Sequence, residues 1–121
     1  MASWLLCAAA AIEAVTGVAL IIDPQAVADL LLGKDLGTAG IAVARVAGIA
    51  LLSLGLGCWM SRKVANQSAA LTAIFTYNLL VTMYLMFLAL VGELVGILLW
   101  PAIAIHAAFT LLLAYSLIAP R

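Results

Sequence analysis

The chain has 121 residues, 69% hydrophobic and 8% charged, and its five basic and five acidic side chains cancel to a net charge of zero. An average soluble domain is about 45–50% apolar and about 25% charged; so few charges cannot furnish a water-facing exterior, and the main solvent of this chain is lipid. Zero net charge without a Lys/Arg-rich run excludes the electrostatic footprint of a nucleic-acid partner, and Cys7 and Cys58, far apart and outside any CxxC, indicate neither a disulfide framework nor a zinc site.

A helix rising 1.5 Å per residue needs roughly 20 apolar residues to cross about 30 Å of hydrocarbon. Backbone groups in lipid must pair within their own segment, so each such run reads as a helix. The first is Trp4 to Ile22; with no Lys or Arg before it and Glu13 in its middle, it reads as a retained span rather than a secretory signal. Asp23-Pro24 ends it. From Asp23 to Thr38 the sequence predicts a short amphipathic helix on the membrane surface: Asp23 caps, Pro24 takes the first position, Val27, Leu30 and Leu31 share a face, and Gly33 ends the turn. The second span is Ala39 to Met60. There Gly40, Ala44 and Gly48 recur at four-residue spacing, with Gly55 seven further on, a line of small residues that lets helix backbones approach closely. Ala10, Ala14 and Gly17 offer a compatible surface on the first span, and the pattern leaves open whether the contact lies within one chain or between two. Ser61-Arg62-Lys63 separates the third span, Ser68 to Val91, and Gly92-Glu93 with Gly96 separates the fourth, Ile97 to Ala119. These two later loops read as too short to fold into anything. The expected architecture is all-α: one integral membrane domain over residues 1–121, an up-and-down bundle of four spans with an interfacial helix between spans 1 and 2.

Arg62, Lys63 and Arg121 fall on the side of the N-terminus, whereas Asp23, Asp29, Asp35 and Glu93, with Lys34, fall on the other. By the positive-inside rule the Arg62 side and both ends are expected in the cytoplasm. Trp4 and Trp59 sit at that interface and Trp100 at the opposite one, as aromatic belts do.

An ionisable group at membrane depth costs at least roughly 2.5–3.5 kcal/mol, which makes it a functional candidate by default. Counted from the outer ends of their spans, Glu13 lies at roughly 13 Å, His106 at roughly 13 Å and Arg45 at roughly 9 Å. Tyr84 falls at about 10 Å and can join them, and Asn78 lies about two turns deeper. As a site, this polar layer would let Glu13 and His106 exchange protons while Arg45 held an anion, suiting a quinone, a lipid headgroup or a proton-coupled solute. As a structural device, Glu13 and Arg45 would form a buried ion pair that fixes helix register, with His106 and Tyr84 completing its hydrogen bonds. A lone histidine indicates no metal or haem site, and no cofactor is required by the sequence, although a quinone or lipid would suit. Nothing pairs a nucleophile with its base or cradles a phosphate, which points away from an enzyme.

The stretch Ala44-Arg45-Val46-Ala47-Gly48-Ile49-Ala50-Leu51-Leu52-Ser53-Leu54-Gly55, with the preceding Asp23-Pro24 loop and a last span bearing a lone His106, resembles the small bacterial four-span proteins of the DoxX-like kind. The resemblance covers most of the chain and implies a bacterial inner-membrane location, with Arg45, Gly48 and His106 as the positions to carry over. Some members resemble or serve as subunits of quinone-linked oxidoreductases. Ala11-Ile12-Glu13-Ala14-Val15 is similar to the small multidrug resistance transporters, which share the length, the four spans and a glutamate in the first helix; the long first loop, Arg45 and the basic bias depart from that pattern. The leading expectation is a non-enzymatic accessory or structural subunit that meets the bilayer, other membrane proteins or copies of itself. The alternative is a small-molecule, quinone or lipid-binding or proton-coupled transport protein using the Glu13, Arg45 and His106 cluster.

Overall fold

Apolar runs free of proline beyond the first turn fold as helices along their whole length, and the computed structural model, which describes residues 2–120, shows five. These are α1 (Ala2–Ile22), α2 (Pro24–Leu32), α3 (Gly37–Ser61), α4 (Ser68–Val91) and α5 (Leu99–Ile118). Four of them, α1, α3, α4 and α5, are long and apolar enough to cross a bilayer. The protein is an all-α, four-span integral membrane bundle. Arg121, one of the basic residues behind the expected orientation, lies outside the described residues, as does Met1.

Pro24 has no N–H to continue α1 and disfavours a helical residue before it, so the chain turns at the single residue Asp23. The Asp23 carboxylate then accepts the Ala26 N–H at 3.1 Å. Gly33, at φ 66°, closes α2 by donating to the Ala28 and Asp29 carbonyls. Gln25 ties α2 to the chain that follows: its amide donates to Asp29 Oδ1 at 2.7 Å and to the Lys34 carbonyl, and its oxygen accepts the Leu36 N–H. The inward face of α2 differs in detail from the expected one. Pro24 and Ala28 are buried and Leu31 and Leu32 pack inward, whereas Leu30 is 43% exposed.

The fourth span begins at Leu99 rather than Ile97, because the preceding loop is bonded to α2. The last carbonyls of a helix have no partner within it. Here Gly96 N–H donates to Leu31 O at 3.0 Å and Leu98 N–H to Leu30 O at 2.8 Å. A Cβ on Gly96 would lie 2.6 Å from the Leu30 carbonyl carbon and 2.7 Å from that of Leu31, so only glycine lets the two backbones meet. The 92–98 loop, expected to have no structure of its own, is thus built onto the end of α2.

Helix α1 packs chiefly on α3, and α4 on α5, while contacts between the two pairs are sparse. The α1–α3 seam uses the expected small residues within one chain. A Cβ on Gly17 or on Gly48 would fall 2.6 Å from the carbonyl oxygen of the other, and one on Gly55 would fall 3.0 Å from Ala10 O. Gly40 is off this seam, facing the side chain of Leu36, and Ala44 is half-buried. Between the pairs lie two apolar clusters. Leu5, Leu6, Ala9, Ala10, Cys58, Leu71, Ile74 and Leu113 fill the end nearer Arg62. Leu85, Leu88, Leu99 and Ile103 fill the other end, roofed by Leu31 and Leu32 of α2. At the Arg62 end the guanidinium lies 3.5 Å over the Trp59 ring, and Ser3 and Gln67 both donate to the Arg62 carbonyl, tying the start of α1 to the 62–67 loop.

Candidate functional site

Only two polar side chains among the described residues are buried, Glu13 on α1 and Asn78 on α4. Both lie between the apolar clusters: Asn78 separates Ile74 from Leu85, and His106 on α5 separates Ile103 from Leu113. Glu13 is eleven residues from Ala2 and nine from Ile22, near the middle of its helix. The polar layer is therefore central in the bundle rather than in one half of it.

Asn78 donates through Nδ2 to the carbonyl of Ile74 at 2.9 Å. Its Oδ1 lies 2.8 Å from His106 Nδ1. An amide oxygen can only accept, so this contact assigns the proton to Nδ1 and leaves Nε2 as the acceptor of the neutral ring. The Tyr77 ring meets the His106 ring edge-on, with centroids 5.8 Å apart at 75°. Its hydroxyl lies near the Glu13 carboxyl. Thr82 and Thr110 return their hydroxyls to the carbonyls of Asn78 and His106, each one turn earlier on its own helix. Glu13, Asn78 and His106 line one interior gap with Ala9, Ile12 and Phe109, and about 0 Å³ of it is open to a water molecule. The layer has no room for a water molecule.

Arg45 and Tyr84 stand elsewhere. The Arg45 side chain is exposed and donates through Nε to the carbonyl of Ile21 at 3.2 Å, so the expected Glu13–Arg45 ion pair is not formed. The geometry of α1 explains this. Ile21 is eight residues beyond Glu13, roughly 12 Å along the helix, and at 3.6 residues per turn Glu13 points about 70° to one side of the Ala10–Ala14–Gly17 seam. Tyr84 is 61% exposed and stacks on Phe87 at 6.2 Å between centroids. Tyr77 takes the place that Tyr84 was expected to fill. Counting depth from span ends assumed ends of equal height, but fourteen residues separate Tyr77 from Val91 and only nine separate Glu13 from Ile22. With Tyr77 and Glu13 at one level, α4 stands roughly 7 Å taller than α1 on the Asp23 side. The sequence signal for Tyr77 was its place beside Asn78, two turns before Tyr84 on the same helical row and about two residues nearer mid-helix.

Fold and site together define a four-span membrane protein with a sealed central layer of Glu13, Tyr77, Asn78 and His106. No family model, curated protein or solved structure matches the chain.

Proposed function

We propose that this protein is a non-enzymatic accessory or structural subunit of a bacterial inner-membrane assembly, built with other membrane proteins or with its own copies, with the Arg62 face and both termini cytoplasmic. The observation that carries the reading is the sealed polar layer. With no space even for water, and lined by Glu13 of α1 together with Asn78 of α4 and His106 of α5, it lies where the α1–α3 pair meets the α4–α5 pair and leaves no room for a substrate.

What the protein can recognise then lies on its lateral surface. Helix α3 buries only Gly48, Gly55 and Cys58, and so turns most of its length outward. On one side Ser53, Gly57 and Ser61 recur every four residues and face Ala70 and Ala73 of α4 across an open gap of about 250 Å³. Small residues and hydroxyls of this kind are what helices use to associate in lipid, where burial alone gives little driving force. The likeness of residues 44–55 to DoxX-like proteins, some of them subunits of larger enzymes, supports the same reading.

Native mass spectrometry of the protein gently extracted from its own membrane tests it. The expected spectrum contains other polypeptides or several copies of this chain; a bare monomer at every protein concentration refutes it. Cysteine-accessibility mapping of the Asn66 and Asp35 loops tests the orientation, with Asn66 expected on the cytoplasmic side.

A second reading, proton-coupled transport or small-molecule binding, is favoured by one observation. Glu13 and His106 lie at the sparse contact between two helix pairs, where relative motion of the pairs would expose them. It requires a bound solute in the same spectrum and its loss in Glu13→Gln at unchanged stability.

A further inference from the structure

We infer that Arg45 and the groove below it form a binding site for one anionic glycerophospholipid, with the phosphate on the guanidinium and an acyl chain in the groove. The inference is independent of the subunit reading.

The first observation is the state of the arginine. Arg45 is eight residues inside the start of α3, roughly 12 Å along the helix. Its side chain rises to the last turn of α1, where Nε–H meets the Ile21 carbonyl. A long cationic side chain climbs in this way to put its charge at the membrane interface. Its terminal guanidinium N–H groups meet no acceptor among the described residues, and the side chain is exposed to the bilayer. A guanidinium carried to the interface in this way keeps its remaining donors free for an anion there. The level is that of lipid phosphates, and the planar fork of donors suits a phosphodiester in two-point contact.

The second observation is the surface beneath it. At 100° per residue, Leu52, Leu56 and Trp59 lie within about 40° of Arg45 on α3. These three, with Ala11 and Ala14 of α1 and Gly55, line an open apolar groove of about 280 Å³ on the lipid-facing side of the α1–α3 seam. The α1 wall is low because it is made of alanines. A chain descending about 15 Å, half the hydrocarbon thickness, from the level of Arg45 reaches Leu52 and Gly55. Cationic head site and apolar channel are thus aligned on one face, in the order in which a phospholipid presents its phosphate and its chain. A second copy of this protein would bring an apolar span to the groove, while its acids nearest the level of the guanidinium, Asp23, Asp29 and Asp35, are already bonded within their own chain to the Ala26 N–H, the Gln25 amide and the Gly37 N–H.

The test is native mass spectrometry of the delipidated full chain titrated with palmitoyl-oleoyl-phosphatidylglycerol, alongside dioleoylglycerol, which has the chains without the phosphate. A single-lipid adduct is expected with phosphatidylglycerol, at least tenfold tighter than with dioleoylglycerol. Arg45→Gln should weaken it at least tenfold, and Ala11→Trp, which fills the groove and leaves the arginine, should weaken it as well. Helical circular dichroism of each variant reports folding, and Ala11→Trp keeps the test open should Arg45→Gln fold poorly. Equal affinity for the two lipids, unchanged affinity in both variants, or a dimer that takes up no lipid overturns the site.

Discussion

Replacing Gly48 by alanine should destabilise the protein although alanine is the better helix former. The added methyl would lie 2.6 Å from Gly17 O and 2.8 Å from Leu20 Cβ. Neither atom can rotate away, since one is backbone and the other is the first carbon of its side chain. Helices α1 and α3 must therefore part, and a gap of roughly 0.5–1 Å forfeits about a quarter to a half of each dispersion contact along the seam. Overpacking of this kind costs about 1–3 kcal/mol, against roughly 0.5–1 kcal/mol returned by removing a helical glycine, leaving a net loss of about 1–2 kcal/mol. Gly57→Ala is the matched control: a Cβ there meets nothing within 4 Å, so only the backbone gain operates. Reversible unfolding in mixed micelles, followed by helical circular dichroism, should move the Gly48→Ala midpoint down and the Gly57→Ala midpoint up or not at all. Equal shifts for the two variants would falsify the close α1–α3 approach.

Three further outcomes follow from particular contacts. Asn78→Leu and His106→Leu should each cost about 0.6–1.7 kcal/mol, the span measured for hydrogen bonds between membrane helices, and the double variant should cost less than their sum; strict additivity in a double-mutant cycle would show that the pair is not coupled. Gly96→Ala should detach the 92–98 loop from α2, read as faster amide hydrogen exchange at Gly96 and Leu98; protection equal to the parent at both amides would contradict the backbone contact. Tyr77→Phe should destabilise the bundle more than Arg45→Ala does, because the phenol, not the guanidinium, stands beside Glu13; the reverse order in the same unfolding assay would restore the ion pair.

Composition and local pattern determined much of this protein by themselves. Sixty-nine per cent apolar residues made lipid the solvent, and lipid made every long run a helix. Asp23, Pro24 and Gly33 bounded α2 because a carboxylate cap, a missing N–H and a left-handed backbone act within a few residues. Gly17, Gly48 and Gly55 were legible as a packing line because closeness in lipid needs small residues. Only the tertiary structure decided which polar groups meet. In water, an apolar stripe reveals the inward face of a helix; a span in lipid is apolar all round, so its rotation and height leave little trace in the sequence. One residue of rotation is about 100° and one turn of height is about 5.4 Å. That is the difference between Glu13 meeting Arg45 and Glu13 lying near Tyr77, and it was settled by the glycine seam of α1 and α3 and by the seating of α2 against α1, α3 and α5.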